Sequence, residues 1–402
     1  MANTHNNIKD APGIIAKAAA QTLKDNLVFC GTIDKADSSE FDGKNGYKAG
    51  DTIYTSVPAR YVPQTTFDIT SSIQDSVEEK KALTLDTIST VGMEINSFEF
   101  ATEVELKDVI RRFVIPAAES IAQNVESRFL AKATDATYNS VGTPGSASFT
   151  VAEVLASRTK LNQNLAPRSD RFLLMNSASG AEAVDARKGL FQSSAEVEKQ
   201  YKDGMILRAD GYSWYENELI STHANGSDVT GVAVNDAAVA EGSSTLTVDG
   251  AAASITVGTV FTIADVYSVH PITKVATSNL QQFVVTSAGT TSIGISPSIY
   301  AGSGGLQNVD ALPADDAALT FVGAASTTFE QNLAYQKRAF KMVSVPLVMP
   351  TKAEVAAQET VDGITVAVIR DFDILERRMV TRLDFLGGLS AVRPEWACRL
   401  PV

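Results

Sequence analysis

The chain has 402 residues, 44% of them hydrophobic and 20% charged, so it can form roughly two or three compact bodies with the composition of an ordinary soluble protein. Its formal net charge of -13 argues against tight, sequence-independent binding to nucleic acid, because such binding needs many lysines and arginines. Two cysteines are too few for a disulfide framework. The N-terminus has no apolar signal core and no apolar run approaches about 20 residues, so we expect neither secretion nor a membrane span. We expect the chain to be made in the cytosol.

The first 48 residues are predicted to form a polar N-terminal arm. One helical patch, over 12–27, carries a weak amphipathic stripe of apolar residues. The following segment, 31–50, is rich in Asp, Ser, Gly and Lys. Two interpretations stay open, an arm that packs on a neighbouring subunit and a floppy tail before the first domain.

Period-two alternation begins at Thr52 and predicts a long hairpin. Apolar and polar residues alternate over 52–57 and again over 83–95, and the stretch between them is polar and contains prolines. A hairpin this long cannot bury its own faces and needs a partner, in this chain or in a second subunit. The charge run at its tip consists of Glu78, Glu79, Lys80 and Lys81. This run is either a solvated turn or a set of inter-subunit ion pairs.

The stretch from 103 to about 138 predicts a short amphipathic helix, a turn and one long helix. Pro116 disfavours the α conformation at the residue before it and suits the first position of the second helix. Apolar residues then recur at steps of three and four: Ala118, Ala122, Val125, Phe129, Ala133 and Ala136. A stripe so narrow and rich in alanine predicts that a broad, flat partner packs closely on a rod of roughly 30 Å.

An α/β body is predicted after a linker rich in Gly, Pro and Ser. Thr150 and Glu153 form a capping-box signature at the start of a helix. Residues 171–175 have the pattern of a buried strand, followed by a helix over 181–189 and a strand-turn-strand over 204–215.

Composition changes sharply over 224–336, where Lys274 is the only lysine or arginine. Short β segments separated by turn signals predict an all-β module, either a small barrel or a sandwich. The module is an insertion, because α/β patterns flank it on both sides. The chain outside the module resumes with 333–348, strands are predicted over 364–369 and 378–385, and Gly387 and Gly388 are predicted to turn the chain before its tail.

The sequence contains no recognisable catalytic motif. The three histidines lack metal-ligand spacing, no GxSxG sequence marks a nucleophile, and the glycine-rich stretch at 302–305 lacks a Walker lysine. Acidic clusters over 34–42 and 310–316 lack the EF-hand spacing. We therefore predict that the protein is not an enzyme and has no catalytic residue, cofactor or metal site.

Several stretches spread over most of the chain carry a resemblance to a known family. They are 50–58 (GDTIYTSVP), 114–126 (VIPAAESIAQNVE), 165–176 (LAPRSDRFLLMN), 257–266 (VGTVFTIADV), 333–342 (LAYQKRAFKM) and 382–400 (RLDFLGGLSAVRPEWACRL). Their order and spacing resemble those of the major capsid (coat) proteins of tailed double-stranded-DNA bacteriophages. More narrowly, the chain resembles the short-tailed-phage coat subfamily that carries an insertion domain.

The resemblance implies the Johnson fold, an α+β architecture, and a role for each region. The regions are an N-arm (1–48), an extended loop over an adjacent subunit (49–92), a peripheral domain with the spine helix (93–139), a first part of the axial domain (140–222), an inserted all-β, barrel-like domain (223–341) and the completion of the axial domain with strands that return to the peripheral domain (342–402). The polar face of the spine helix, with Glu119, Gln123 and Glu126, is expected to face the shell interior or an adjacent subunit.

The function that the resemblance implies is structural. Copies of the chain, as pentamers and hexamers, would form an icosahedral shell that encloses the double-stranded DNA genome without sequence-specific binding. Assembly in the host bacterial cytoplasm, with scaffolding and portal proteins as partners, would give a procapsid that expands on packaging into the virion capsid. The inter-subunit contact candidates are Glu78, Glu79, Lys80, Lys81 and Lys274. The alternative is a secreted or surface β-rich adhesin-like structural protein, suggested by the Ser/Thr/Gly-rich insert.

Overall fold

A computed structural model of the chain describes residues 11–35, 47–57, 61, 67, 70, 73, 79–96, 110–145, 149–187, 208–227, 229–250, 254–302, 305–350, 353, 355–374 and 378–402. The chain divides into two compact units. Unit 1 comprises Met1–Thr55, Lys80–Phe129 and Lys341–Ser390, and unit 2 comprises Ser56–Glu79, Leu130–Phe340 and Ala391–Val402. Helices and strands both contribute to the fold, so the predicted α+β class is confirmed.

A six-stranded sheet forms the centre of unit 1. Its strands are β1 (Asp34–Lys35), β4 (Thr87–Asn96), β16 (Phe340–Ser344), β17 (Val355–Val361), β18 (Ile364–Asp373) and β19 (Arg378–Ala391). They lie in the order β1-β16-β19-β18-β17, and β4 also pairs with β19. The long strand β19 is antiparallel to both β18 and β4 and therefore organises the sheet. The strands predicted over 364–369 and 378–385 are confirmed.

Two helices precede this sheet in the chain, α1 (Ala11–Asn26) and α2 (Phe29–Thr32). α1 packs against β17 and β18 and buries small and apolar side chains: Ala16, Ala19, Ala20 and Leu23. The predicted helical patch is confirmed, and residues 11–35 of the predicted arm pack within their own unit. The remainder of that arm, apart from Tyr47 and Lys48, lies outside the described residues.

The predicted hairpin contains a two-stranded ribbon of β2 (Thr52–Val57) and β3 (Glu79–Thr84). Most of the segment between these strands lies outside the described residues. The second arm of the ribbon ends at Thr84, because the next strand, β4, pairs with β19 instead. The alternation over 83–95 therefore comes from two different strands and not from one arm of the hairpin.

The long helix predicted after Pro116 is present as α3 (Ile115–Ala136). A π-helical turn at Ile110–Val114 leads directly into it, so the turn predicted at this proline is wrong. The backbone stays helical because a proline near the start of a helix lacks only an N–H group that the first turn leaves unpaired anyway. Residues 101–109, where the predicted first helix begins, lie outside the described residues.

The buried face of α3 is wider than a stripe of alanines. The predicted residues Ala118, Ala122 and Val125 are buried, and Ile121 is fully buried beside them. Phe129 packs edge-to-face on Phe385 of β19, with 6.5 Å between the ring centroids. This contact agrees with the sheet partner that the sequence predicted for the helix.

A second six-stranded sheet forms the body of unit 2. Its strands are β5 (Arg171–Met175), β6 (Arg208–Ala209), β7 (Tyr212–Glu216), β8 (Thr222–Ala224), β15 (Thr328–Gln336) and β20 (Ala397–Pro401), and its helices are α4 (Val151–Gln163) and α5 (Ser177–Arg187). The order is β20-β15-β5-β7-β6, with β8 paired to β15. The capping box at the start of α4 is confirmed, because the side chains of Thr150 and Glu153 each accept the backbone N–H of the other.

Another sheet of unit 2 forms an all-β barrel. Its strands are β9 (Ala233–Val234), β10 (Ser243–Asp249), β11 (Val260–Val269), β12 (Ala276–Ala288), β13 (Ser292–Ile299) and β14 (Leu319–Phe321), in the order β14-β11-β12-β13-β10-β9. A bridge between Ala233 and Ala318 joins the two edges, so the sheet nearly closes around its own apolar core. The strands of the barrel end at Phe321, well before the predicted boundary at 341, because β15 belongs to the body.

The predicted turn at Gly387 and Gly388 is wrong. Both glycines lie inside β19, and Gly387 pairs with Thr87 of β4. A Cβ atom on Gly388 would come within 2.4 Å of the carbonyl oxygen of Thr84. Glycine is therefore required here by the close approach of a neighbouring backbone and not by a turn.

Candidate functional site

The predicted charge run lies at the start of β3. Glu78 is outside the described residues, and the strand begins at Glu79. Lys80 is exposed, and Lys81 is half-buried. The described part of the run is therefore on a strand and not in a solvated turn, while its contact with another subunit stays a prediction.

Lys274 lies in the turn between β11 and β12, in a left-handed conformation with a φ of 54°. Its ammonium group donates to the carbonyl oxygens of Gly305 and Gln307, both at 3.0 Å. The lysine thus ties two loops of its own barrel together, and an ion pair with another subunit would have to compete with these bonds. Its inter-subunit role stays a prediction.

Glu126 was predicted to lie on the polar face of α3, and this is wrong because its side chain is buried. The backbone N–H of Phe29 donates to Oε1, and that of Cys30 donates to Oε2 at 3.3 Å. Both N–H groups belong to the first turn of α2, where backbone donors have no partner within the helix. Glu119 and Gln123, by contrast, are exposed as predicted.

We call the two hydrogen bonds from α2 to Glu126 the clasp. Burial changes the pKa values of the groups in this clasp. Burial raises the pKa of Glu126, and the backbone N–H bond from Phe29 opposes that change. Burial also raises the pKa of the Cys30 thiol well above its usual value, and the nearby carboxylate of Glu126 raises it further. Cys30 therefore stays a protonated, unreactive thiol as long as α2 remains docked.

A second buried charge, Arg399, lies in β20 of unit 2. Its Nη1 atom donates to the carbonyl oxygen of Gly258 at 2.7 Å and to Oε1 of Gln331 at 3.1 Å. Its Nε and Nη2 atoms have no hydrogen-bond partner in the part of the chain that the structure describes. Burial lowers the pKa of Arg399 to about 9, and the negative charge of Asp135 offsets part of that change.

Two titratable groups surround this arginine. Burial raises the pKa of Asp135, at the end of α3, while the positive charge of Arg399 acts in the opposite direction. Burial and Arg399 together lower the pKa of His223 to about 4. His223 therefore stays neutral near pH 7, and its Nε2 atom forms a hydrogen bond with Oγ1 of Thr259 at 3.1 Å.

A small pocket, lined by Ser140, His223, Gly258 and Arg399 among others, separates these groups. Its free space is about that of one water molecule. It is too small for an organic cofactor or a substrate. Within the described residues there is no group of three His, Cys, Asp or Glu side chains that could hold a metal ion. None of the described helices is long and apolar enough to cross a membrane.

No sequence motif marks either of these two charged residues as buried. Glu126 occupies a position between the apolar residues of α3, and its partners are Phe29 and Cys30, far away along the chain. Arg399 lies in a five-residue strand that is buried on both faces. A charged residue inside such a short apolar segment is a usable signal, because buried arginines are rare unless paired.

Comparison with family models gives a match over nearly the whole length of the chain. A family model described as P22 coat protein, gene protein 5, matches residues 1–399. None of the curated proteins matches the chain.

Among solved structures, the chain is similar to the capsid of Ralstonia phage GP4, with 7% identity over 92% of this chain and 87% of that one and a TM-score of 0.46. It is similar to a chain of Mycobacterium phage Che8, with 12% identity over 93% and 90% of the two chains and a TM-score of 0.43. The CUS-3 coat protein I-domain is 32% identical over 22% of this chain and 93% of that one, with a TM-score of 0.20.

Proposed function

Because the chain belongs to the P22 coat protein family, we propose that its copies first form a scaffold-assisted procapsid, which expands as DNA enters. The chain is a structural capsid protein that builds the shell of a phage particle from many copies of itself. The predicted family and the predicted role as a structural shell protein are thereby confirmed, and the adhesin alternative is not favoured. Scaffolding and portal proteins are the proposed partners, and the host bacterial cytoplasm is the proposed place of assembly.

The exposed apolar side chains of the hairpin region are the observation that best supports assembly through neighbours. Tyr54 is 64% exposed, Ile73 is 80% exposed and Phe67 is completely exposed. An isolated chain seldom leaves several large apolar side chains uncovered on one segment, so a partner surface is needed. We therefore propose that the part of the predicted loop 49–92 that precedes β4 contacts an adjacent subunit, as the extended loop of the coat fold would, while β4 pairs within its own sheet.

We propose that charged side chains orient the two copies at this contact. Lys80 and Lys81 stand on β3, and the net charge of -13 means that acidic side chains outnumber basic ones on every neighbouring copy. Ion pairs at such a rim fix orientation more than they add affinity. For the barrel, Lys274 stays the predicted contact residue, and an ion pair with a neighbouring copy would compete with its bonds to Gly305 and Gln307.

Assembly of the purified chain, with and without its scaffolding protein, tests the proposal. We expect uniform, procapsid-like shells by negative-stain microscopy when the scaffolding protein is present. Phe67→Ser should abolish shells without changing the unfolding transition, whereas Leu155→Ser, at an exposed apolar residue of α4, should assemble normally. A stable, monodisperse monomer under every assembly condition would contradict the proposal.

A further inference from the structure

The barrel joins the body of unit 2 through two neighbouring segments. β8 leads into the barrel and β15 follows it, and these strands pair with each other from Thr222–Glu330 to Ala224–Thr328. The barrel has its own apolar core, which includes Phe261 and Phe283. The ribbon is not the only contact, because Tyr138 of the body also packs on Val260 and Val284 of the barrel. A two-stranded ribbon is only marginally stable by itself, so the angle of the barrel depends on the contacts outside the ribbon.

Polar contacts outside this ribbon fix the barrel on the body. The side-chain amide of Gln282, in β12, accepts the backbone N–H of Ser140 at 3.1 Å and donates to the carbonyl oxygen of Ser140 at 2.9 Å. Arg399 of the body donates to the carbonyl oxygen of Gly258, two residues before the barrel strand β11 begins at Val260. We name these four residues, Gln282, Ser140, Arg399 and Gly258, the barrel latch.

The choice of an arginine for this latch is informative. A single nitrogen, Nη1, reaches both Gly258 on the barrel side and Gln331 on the body side. The remaining donors, Nε and Nη2, find no acceptor in the described part of the chain. A well-packed apolar side chain of similar volume is often at least as stable as a buried charge. What the arginine supplies beyond stability is a directional bond between the two bodies.

We propose that Arg399 and Gln282 are positioning residues for shell assembly, which hold the inserted barrel at one fixed angle to the body of unit 2. This inference rests on the proposed function, since the angle matters only when the barrel meets a neighbouring copy. Heterologous contacts close into a shell only if each copy presents the same geometry, so a barrel with a variable angle gives shells of mixed size and shape.

Distance measurement on the isolated subunit tests the latch separately from assembly. Spin labels at Gln163→Cys in the body and Thr247→Cys in the barrel occupy exposed positions, while both native cysteines are buried. The unmodified latch should give one narrow distance distribution. Arg399→Met and Gln282→Ala should each broaden it about twofold or more, because the barrel then samples several angles. Arg399→Lys should restore part of the order, and Arg168→Met, at an exposed arginine of the body, should have no effect.

Electron microscopy of particles formed by the same variants completes the test. We expect Arg399→Met and Gln282→Ala to give shells of mixed size. The unfolding transition of Gln282→Ala should stay close to that of the unmodified chain. If Arg399→Met fails to fold, the distances and shells of Gln282→Ala alone test the barrel latch. Narrow distances in the folded variants would overturn the proposal, and so would broad distances combined with uniform shells. Absence of shells from the unmodified chain would count against the proposed function, whereas the distances would still report on the latch.

Discussion

Glu126 in unit 1 and Arg399 in unit 2 are both buried charges, and they differ in how completely they are hydrogen-bonded. The carboxylate of Glu126 accepts backbone N–H groups on both of its oxygens. The guanidinium group of Arg399 uses only Nη1, and its other nitrogens find no partner among the described residues. One group closes a local clasp, and the other spans two bodies.

The difference shows how one chain can use buried charge for two purposes. A fully bonded charge in a low-dielectric interior gives a rigid connection, because losing either bond strands a buried donor. An incompletely bonded charge contributes less to stability, because some of its donors stay buried without a partner, but the bonds that it does form are still directional. We therefore expect changes at Glu126 to cost more stability than changes around Arg399, and changes around Arg399 to have more effect on geometry.

Removal of the Glu126 side chain should have the largest effect. Glu126→Ala strands the N–H groups of Phe29 and Cys30, each worth about 1–3 kcal/mol when buried and unpaired, so we expect a loss of about 2–6 kcal/mol of local stability. The readout is the native-state reaction of Cys30 with a thiol reagent, which should accelerate as α2 opens.

The second native cysteine provides an internal control for that experiment. Cys398 is buried in unit 2, where burial raises its pKa to about 12, and its reaction rate should not change. Glu126→Gln should have a smaller effect, because an amide keeps one acceptor oxygen. Equal reactivity of Cys30 in the unmodified chain and in Glu126→Ala would show that the clasp contributes nothing to the docking of α2.

A pH-dependent loss of stability around Arg399 should be the next largest effect. The pKa of His223 is lowered from 6.5 to about 4 in the folded chain, so between these values the unfolded chain binds the proton and the folded chain does not. Stability therefore falls as the pH drops from about 6.5 to 4, by about 2 kcal/mol after allowance for solvent screening. The raised pKa of Asp135 acts in the opposite direction, since the folded chain takes up that proton more readily.

Tryptophan fluorescence can measure this effect in unit 2 alone. The two tryptophans of the chain, Trp214 and Trp396, both belong to that unit. Denaturant titrations at pH 7 and pH 4.5 should differ less for His223→Gln, because glutamine does not titrate. An unchanged pH difference in this variant would assign the acid sensitivity to other groups.

The sequence predicts features that depend on neighbours close in the chain and misses those that depend on distant ones. The capping box of α4 and the course of α3 follow from residues three and four positions apart, so they could be predicted. The burial of Glu126 depends on α2, and the need for Gly388 depends on the backbone of Thr84, which pairing of distant strands brings near. Arg399 meets Gly258 only once the barrel is in place, so no local pattern reveals their contact.

Removal of an exposed charge on α3 should have the smallest effect, and it shows whether burial of the Glu126 carboxylate matters. Glu119 is exposed on α3, two turns before Glu126. Substitutions at such surface positions usually change stability by less than about 0.5 kcal/mol, so Glu119→Ala should leave unfolding and the reactivity of Cys30 unchanged. If Glu119→Ala accelerates the Cys30 reaction as much as Glu126→Ala does, then the general charge of the helix holds α2, and the two hydrogen bonds do not. If only Glu126→Ala does so, docking of α2 depends on where the carboxylate is placed, because both variants remove the same charge.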